Sequence, residues 1–202
     1  MKLGLLGGSF NPPHFGHLAM AAAAQHAHAL SEVLFIPAGS PPHKREDLAG
    51  AEHRVRMAEL SISGHPTFRV CDIEVRRAGT TYTVDTLEEL ARARPRDELY
   101  FILGEDSLRD LPGWRNPSRI LELARLVVVN RPGHARTRLA ARDLPGVAPT
   151  RIEQIELDRV TMAPSDCESR LLREAWRAGR SIRGSVPDAV IDYMRRHGLY
   201  RE

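Results

Sequence analysis

Two histidines stand three residues apart at the end of a glycine- and proline-rich stretch near the start of the chain. The stretch covers residues 6–17, Leu-Gly-Gly-Ser-Phe-Asn-Pro-Pro-His-Phe-Gly-His, and the histidines are His14 and His17. Side chains three apart at the start of a helix lie on one side of it, so both imidazoles can face the same ligand. This crowding predicts a ligand-binding loop, and the alternative is a glycine turn with two surface histidines.

A strand, a loop and a helix are expected around these histidines. Residues 3–6 form an apolar run typical of a buried strand, and the alanine-rich residues 16–29 predict a helix. Gly7 and Gly8 are expected to break the strand, because glycine turns sharply without a Cβ penalty and lets a phosphate approach the backbone. This order of elements points backbone N–H groups and the positive end of a helix dipole at an anion.

The spacing of the motif excludes some familiar sites. No Lys-Ser or Lys-Thr pair follows the glycines, so the loop is not a Walker loop, and the glycines do not match the Rossmann dinucleotide fingerprint. The histidines do not form His-Glu-x-x-His, which argues against a metalloprotease site.

Length and composition indicate one globular domain over residues 1–202, since 42% of the residues are hydrophobic and 27% are charged. No apolar run approaches the roughly 20 residues that cross a membrane, and the first residues predict a strand, not a signal peptide. Cys71 and Cys167 give neither a disulfide framework nor zinc spacing, which favours incidental thiols in a reducing cytoplasm. The net charge of +3 suits an anionic substrate but does not by itself indicate nucleic acid.

Strands and helices alternate along the rest of the chain. Further strands are expected over residues 32–37, 68–73 and 99–103, from residue 125, and over 152–157. Helices are expected over residues 51–63, from residue 83, and over 117–124, 167–178 and 186–194. This alternation predicts an α/β fold, a single Rossmann-like domain with a doubly wound parallel sheet and a helical C-terminal end.

Candidate ligand contacts lie on loops that follow predicted strands. Lys44, on a proline-stiffened loop, can place a cation over phosphates or can be part of a solvated basic loop. Gly104 and Asp106 come after a buried strand, where a parallel sheet usually binds its ligand. Asp106 can accept a hydrogen bond from a ribose hydroxyl, or it can be an acid that the helix dipole favours. Trp114 can present a ring face for stacking or belong to the core.

Thr81, Tyr82 and Thr83 stand at the start of the helix expected from residue 83. Thr83 as the N-cap of that helix accounts for one hydroxyl. It leaves Thr81 and Tyr82, just before the cap, without an explanation.

Residues 8–17 resemble the Gly-x-Phe-x-Pro-x-His-x-Gly-His signature of the nucleotidylyltransferase superfamily. The whole chain is similar, more narrowly, to the family of bacterial nicotinate-nucleotide adenylyltransferases, least so over residues 134–167. The segment Tyr-Thr-x-Asp-Thr at residues 82–86 and the ending from Ser-Ile-Arg to His-Gly-Leu-Tyr carry this narrower resemblance.

The resemblance implies a reaction in which ATP and nicotinate mononucleotide give deamido-NAD and pyrophosphate. The nucleophile is a phosphate oxygen, already largely ionised at pH 7 because its second pKa is about 6, so no general base is needed. The reaction needs in-line placement and neutralisation of the charge on the phosphates. Mg²⁺ is the expected cofactor, held by ATP oxygens and water, with no metal site built by the protein.

The resemblance also assigns roles to residues. It implies that Lys44 approaches the triphosphate, that backbone N–H groups around Tyr82 hold the nicotinate ring and its carboxylate, and that Trp114 stacks on the ring. The expected catalytic residues are His14, His17, Lys44 and Arg173. The expected ATP-binding residues are Gly7, Gly8, Ser9, Phe10, Gly104, Asp106, Ser169 and Arg170. The expected substrate-binding residues are Thr81, Tyr82, Thr83, Trp114 and Arg131.

One segment departs from the family pattern Ile-Ser-x-Thr-x-x-Arg, in which hydroxyls and the arginine hold the triphosphate. Arg173 matches the arginine, but Glu168 stands at the serine position and Arg170 at the threonine position, with Ser169 between them. We expect Arg170 to replace the threonine partly by its charge, and the alternative is a merely solvated side chain.

The alternatives are another nucleotidylyltransferase, such as one using nicotinamide mononucleotide or phosphopantetheine, or a non-catalytic nucleotide- or RNA-binding protein. Thr81 to Thr83 and Trp114 argue against phosphopantetheine, and no added RNA-binding domain or basic stripe is visible. The expected partners are ATP and the mononucleotide, with no nucleic acid and no membrane. A homo-oligomer stays open, and the expected location is the cytoplasm.

Overall fold

The fold comes from a computed structural model that describes residues 1–40, 47–133 and 135–201. In chain order the first elements are β1 (Lys2–Gly8), α1 (Phe15–His28), β2 (Glu32–Pro37), α2 (Ala51–Ile62), β3 (Phe68–Val70), α3 (Ile73–Arg76) and α4 (Thr83–Ala93). They are followed by β4 (Glu98–Gly104), α5 (Glu105–Asp110), α6 (Pro117–Leu123), β5 (Arg125–Asn130), α7 (Pro149–Leu157), β6 (Val160–Thr161), α8 (Ser169–Arg177) and α9 (Asp188–Arg196). Single 3₁₀ turns lie at Leu111–Gly113 and Ala141–Asp143.

The described residues form a six-stranded sheet in the order β3-β2-β1-β4-β5-β6, and neighbouring strands run parallel. Leu5 of β1 is level with Leu34 of β2 and with Phe101 of β4. The strand order reverses between β1 and β4, so the connections from these two strands leave a crevice at their carboxyl ends. The predicted fold class, a doubly wound parallel sheet with helices on both sides, is confirmed.

Two apolar layers cover the two faces of the sheet. On one face, Leu5, Phe101 and Val128 pack with residues of α4, α6 and α7. On the other, Leu6 and Ile102 pack with residues of α1. A third cluster joins α2 to α8 and α9, so the C-terminal helices rest on α2. Cys71 and Cys167 are free and partly buried.

The prediction of a strand over residues 152–157 was wrong, because α7 occupies this segment. Ile152 and Ile155, three residues apart, are buried, whereas Leu157 is 77% exposed. This is helical periodicity, and Pro149 at the first turn suits a helix start. The last strand, β6, comes later and has two residues.

Other boundaries also differ from the expected ones. Gly7 and Gly8 do not break β1 but are its last two residues, and the chain turns after them. The strand expected over 68–73 stops at Val70, and α3 begins at Ile73. Tyr82, not Thr83, is the N-cap of α4. Within the described ranges, no helix has the length and apolarity needed to cross a membrane.

Candidate active site

A cavity of about 720 Å³ lies at the carboxyl ends of β1, β4 and β5. The loop after β1, the start of α5, the residue after β5 and the first turns of α8 form its walls. The structure brings together most of the residues expected to bind or activate ATP. Those that line this cavity are Ser9, His14, His17, Gly104, Asp106, Ser169, Arg170 and Arg173.

The imidazole rings of His14 and His17 stack with their centroids 3.8 Å apart. His14 is the N-cap of α1 and is buried, and its backbone N–H donates to Nδ1 of His17 at 3.2 Å. Because Nδ1 of His17 accepts a hydrogen bond, we assign the proton of the neutral ring to Nε2. His17 is thereby set up as a hydrogen-bond donor.

Burial first, and the charge of Arg131 second, lower the pKa of His14 from 6.5 to about 3. The pKa of His17 is also well below its ordinary value, through burial first and then through His14 and Arg131. Both rings are therefore neutral near pH 7. The positive charges on the cavity wall belong to arginines, among them Arg131 and Arg173.

Gly16 leaves room for the His14 ring. A Cβ at residue 16 would lie 2.9 Å from Nδ1 of His14 and 3.2 Å from the Ser165 hydroxyl. Real Cβ atoms do not approach so closely to a ring nitrogen, so a side chain here would displace the imidazole. The same test at Gly7 and Gly8 gives ordinary contacts of 3.4 Å or more, with the Phe101 and Phe10 rings.

Side chains hold three backbone carbonyls of the loop between β1 and α1. The Ser9 carbonyl accepts from Arg54 at 3.1 Å, the Asn11 carbonyl from Arg173 at 2.8 Å, and the Pro12 carbonyl from the Ser169 hydroxyl at 2.9 Å. Ser169 and Arg173, expected to hold the triphosphate, therefore also hold this loop in the ligand-free chain. Their contact with ATP stays a prediction.

The same loop contains a residue in an unusual backbone conformation. Phe10 has a φ of 46°, in the left-handed region that non-glycine residues rarely adopt. Its ring is fully buried, edge-on to His17 at 5.0 Å and tilted against Phe35 at 5.6 Å. Such a conformation costs about 1–3 kcal/mol and persists only where the surroundings fix it, as the capped carbonyls and the buried ring do here.

Arg54 is a site residue that the sequence analysis did not find. Its side chain is 1% exposed and donates to the carbonyls of Ser9, after β1, and of Gly39 and Ala49, both between β2 and α2. The helical spacing of α2 could have predicted the burial of Arg54, because this residue lies three positions before the buried Met57 and so on the same side of the helix. A buried arginine on an apolar face needs hydrogen-bond partners, and here they are backbone carbonyls.

Asp106 and Glu105 both line the cavity but differ in their surroundings. Asp106 has a side chain that is 87% exposed and lies 3.4 Å from Arg109, so it is accessible to a ribose. Glu105 is buried, accepts from the Thr137 backbone N–H at 2.8 Å, and pairs with the buried Arg159. Glu105 thus holds the segment around Thr137 against α5, a role that we did not predict.

Arg170 is exposed and pairs with Glu174 at 2.9 Å, one turn along α8. It lines the cavity together with Arg173. Glu168 is the N-cap of α8, as an acid at a helix start should be. Arg131, which we grouped with the mononucleotide-binding residues, lines the same cavity as the histidines and donates to the Cys167 carbonyl at 3.3 Å.

The remaining mononucleotide-binding candidates lie on the other face of the sheet. Tyr82 and Trp114 pack against the apolar layer of α4 and α6, and the Trp114 ring is edge-on to Phe101 at 6.1 Å. Thr81 is buried, and its backbone N–H donates to the Ser40 carbonyl. That N–H is therefore engaged, whereas Thr83 begins α4, where helix amides have no acceptor within the helix. Lys44 lies outside the described residues.

Comparisons with known proteins identify the family of the chain and support its fold. The family model described as cytidylyltransferase-like matches residues 5–193. A relative from Dehalococcoides mccartyi is 42% identical over 204 residues, 99% of this chain and 97% of its own. One from a Roseiflexus species is 45% identical over 206 residues, 98% of each chain, and both are named "Probable nicotinate-nucleotide adenylyltransferase". The solved structure of the Plasmodium falciparum nicotinic acid mononucleotide adenylyltransferase complexed with NaAD has a TM-score of 0.75 at 17% identity, covers 98% of this chain and 97% of its own, and supports the fold.

Proposed function

The chain belongs to the cytidylyltransferase-like family and, within it, to the nicotinate-nucleotide adenylyltransferases, and from this membership we infer its reaction. It transfers the adenylyl group of ATP to nicotinate mononucleotide, forming deamido-NAD and releasing pyrophosphate. This is a step of NAD biosynthesis. The proposed location is the cytoplasm.

The observation that carries this mechanism is the stacked pair of histidines in an arginine-lined cavity at the β1–β4 crevice. The attacking group is a phosphate oxygen of the mononucleotide, which is ionised at pH 7 and needs no base. The bond that forms joins this oxygen to the α-phosphorus of ATP, and the bond that breaks releases pyrophosphate. Neutral His17 donates from Nε2 to phosphate oxygens that gain charge in the transition state, and His14 holds the ring of His17 by stacking.

Arginines supply the positive charge. Arg173 is buried on the cavity wall and Arg131 lies near both histidines, so each is proposed to face phosphate oxygens. A guanidinium presents a planar fork that matches two oxygens of one phosphate. Lys44 is proposed to add a further cation to the triphosphate.

The mononucleotide is proposed to bind across the sheet edge, against α4 and Trp114. The first amides of α4, from Thr83 onwards, are free of helix acceptors and can donate to the nicotinate carboxylate. A carboxamide would present its own N–H there and leave an amide of the protein unpaired, so nicotinate is preferred to nicotinamide.

Mg²⁺ is proposed to arrive with ATP. Among the described residues, no group of three His, Cys, Asp or Glu side chains could hold a metal ion. Of the four acids that the described ranges place on the cavity wall, which include Asp106 and Glu168, Glu105 and Asp47 are paired with Arg159 and Arg177. This donor set fits an ion held by ATP oxygens and water, which would neutralise charge on the phosphates.

Pyrophosphate release from ATP tests the function. Nicotinate mononucleotide, nicotinamide mononucleotide and phosphopantetheine are compared as acceptors at equal concentration. The expected result is the highest kcat/KM with nicotinate mononucleotide and none with phosphopantetheine. No release with any acceptor refutes the function, and equal kcat/KM for the two pyridine mononucleotides refutes the role of the α4 amides.

A further inference from the structure

The side chain of Asn11 joins the loop between β1 and α1 to two distant parts of the chain. It is 2% exposed, and its amide nitrogen donates to the Asp47 carbonyl at 2.8 Å. Its Oδ1 accepts from the Ala49 backbone N–H at 3.0 Å and from the Tyr200 hydroxyl at 2.6 Å. Asn11 is thus the point where the loop, the segment before α2 and the segment after α9 meet.

The Tyr200 side of this contact is held in an unusual conformation. Tyr200 has a φ of 61°, in the left-handed region, so its backbone is strained. Burial raises the pKa of its phenol above the ordinary value, against the opposing charges of Arg173 and Arg54. The phenol therefore stays protonated and remains the donor to Asn11. Tyr200 is thus a strained residue whose buried hydroxyl donates to the side-chain amide of Asn11. This arrangement suggests that Tyr200 helps to place the loop that contains Asn11.

The contact lies among others that fix the same loop. The Asn11 carbonyl accepts from Arg173, and the preceding Phe10 is itself at positive φ. Arg173 holds the backbone of Asn11, whereas Tyr200 holds its side chain. Three residues further on, His14 caps α1 and stacks on His17, so a shift of Asn11 would be passed to the histidines.

We propose that Tyr200 is a positioning residue, which through Asn11 holds the loop of residues 9–14 in the conformation that places His14 and His17 against the phosphates. This role rests on the proposed adenylyl transfer. It also assigns a function to the ending Gly-Leu-Tyr at residues 198–200, which resembles the family and has no role in the site contacts described above. Tyr200 acts through Asn11 and does not itself touch the substrate.

Tyr200→Phe removes the hydroxyl alone, and Tyr193→Phe is its matched control. The Tyr193 hydroxyl also makes a hydrogen bond, 2.9 Å from Nδ1 of His53, but on α9 and away from the loop. We expect Tyr200→Phe to lower kcat about two- to tenfold, the effect of one neutral hydrogen bond, with both KM values within about twofold. Hydrogen exchange of the Ala49 amide, which donates to Asn11, should become faster in the ligand-free protein. Tyr193→Phe should change neither.

A double variant shows whether Tyr200 works through Asn11. In an Asn11→Ala background, Tyr200→Phe should cost little further kcat, because the partner of the hydroxyl is already gone. The proposal is overturned if Tyr200→Phe leaves both kcat and Ala49 exchange unchanged, or if the two substitutions lower kcat independently. If the wild type releases no pyrophosphate, the reaction assignment fails, and Ala49 exchange still decides whether Tyr200 holds the loop.

Discussion

The rings of His14 and His17, 3.8 Å apart, would repel each other if both were protonated. Burial and the charge of Arg131 act in the same direction and keep them neutral. The backbone N–H of His14 further fixes the tautomer of His17, because it occupies Nδ1. A neutral ring with a defined N–H can stabilise growing negative charge without a proton having to be taken up first.

The low pKa of His14 predicts how stability depends on pH. In the unfolded chain His14 binds a proton below about pH 6.5, whereas in the folded chain it binds one only near pH 3. The free energy of unfolding therefore falls as pH drops through this window and is insensitive to His14 above it. Between pH 6.5 and 5 the expected loss is about 2 kcal/mol. Urea unfolding should show a smaller loss in His14→Asn, and equal losses in wild type and variant would contradict the neutral buried ring.

His17→Ala should lower kcat about 100-fold or more, because it removes a donor used mainly in the transition state. His26→Ala, an exposed histidine of the same helix, serves as the control and should keep the wild-type kcat. Steady-state pyrophosphate release with saturating substrates measures both. Near-normal turnover of His17→Ala would exclude His17 from the chemistry.

Helix α8 combines two tasks that separate motifs could have carried. Its first residue, Ser169, and the buried Arg173 hold the carbonyls of Pro12 and Asn11, and the exposed Arg170 faces the cavity beside them. The helix therefore holds the loop between β1 and α1 in place and also adds positive charge to the cavity. Arg170, at the position of the family threonine, can add charge but has no hydroxyl, and it is paired with Glu174.

Arg173→Ala and Arg170→Ala should differ in size and in salt dependence. Arg173→Ala should lower kcat and raise the ATP KM strongly, since it removes a buried charge and frees the Asn11 carbonyl. Arg170→Ala should raise the ATP KM about two- to threefold at low salt and less at high salt, because an exposed charge is screened. Arg180→Ala, past the end of α8 and off the cavity lining, controls for the loss of one charge. An ATP KM of Arg170→Ala that matches the control at every salt concentration would show a merely solvated side chain.

Strong periodicity and composition made most elements predictable, and the errors have particular causes. Residues 152–157 contain only three apolar residues, which fit both a strand and one face of a helix until Pro149 is weighed as a helix start. Gly7 and Gly8 were taken as a turn, but the strained turn residue is Phe10, whose conformation depends on packing that sequence alone does not give. Arg54 and Tyr200 were missed because their partners are 45 and 189 residues away.

Taken as a whole, the molecule divides its candidate residues between the two faces of one sheet. The histidines, Arg131 and α8 lie around the cavity on the α1 side, and Trp114 with Tyr82 lies on the side of α4 and α6. The motif of residues 8–17 predicted the histidines, and the family resemblance supplied the residues of α8, Arg131 and the second group. The division suggests that the two substrates meet over the carboxyl ends of β1 and β4.

Trp114→Ala should therefore raise the KM for nicotinate mononucleotide about tenfold or more and leave the KM for ATP nearly unchanged. Stacking of a ring on an aromatic side chain is worth about 1–3 kcal/mol, and Trp114 is only partly buried. The ATP KM is the internal control, and thermal unfolding reports any loss of packing against Phe101. An unchanged mononucleotide KM with a lower Tm would assign Trp114 to the core alone.

The loop between β1 and α1, whose carbonyls are held by side chains, also determines when, during synthesis, the protein can become fully active. Its carbonyls and its Asn11 side chain are held from Ser169, Arg173 and Tyr200, at separations of 157, 162 and 189 residues. β1, β2 and β4 can pair as soon as about the first half of the chain has left the ribosome, because their register needs nothing beyond residue 104. The last of these contacts cannot form until residue 200 has emerged. A nascent chain can thus hold a formed sheet with an unfinished site, and full turnover is expected only once this contact is made.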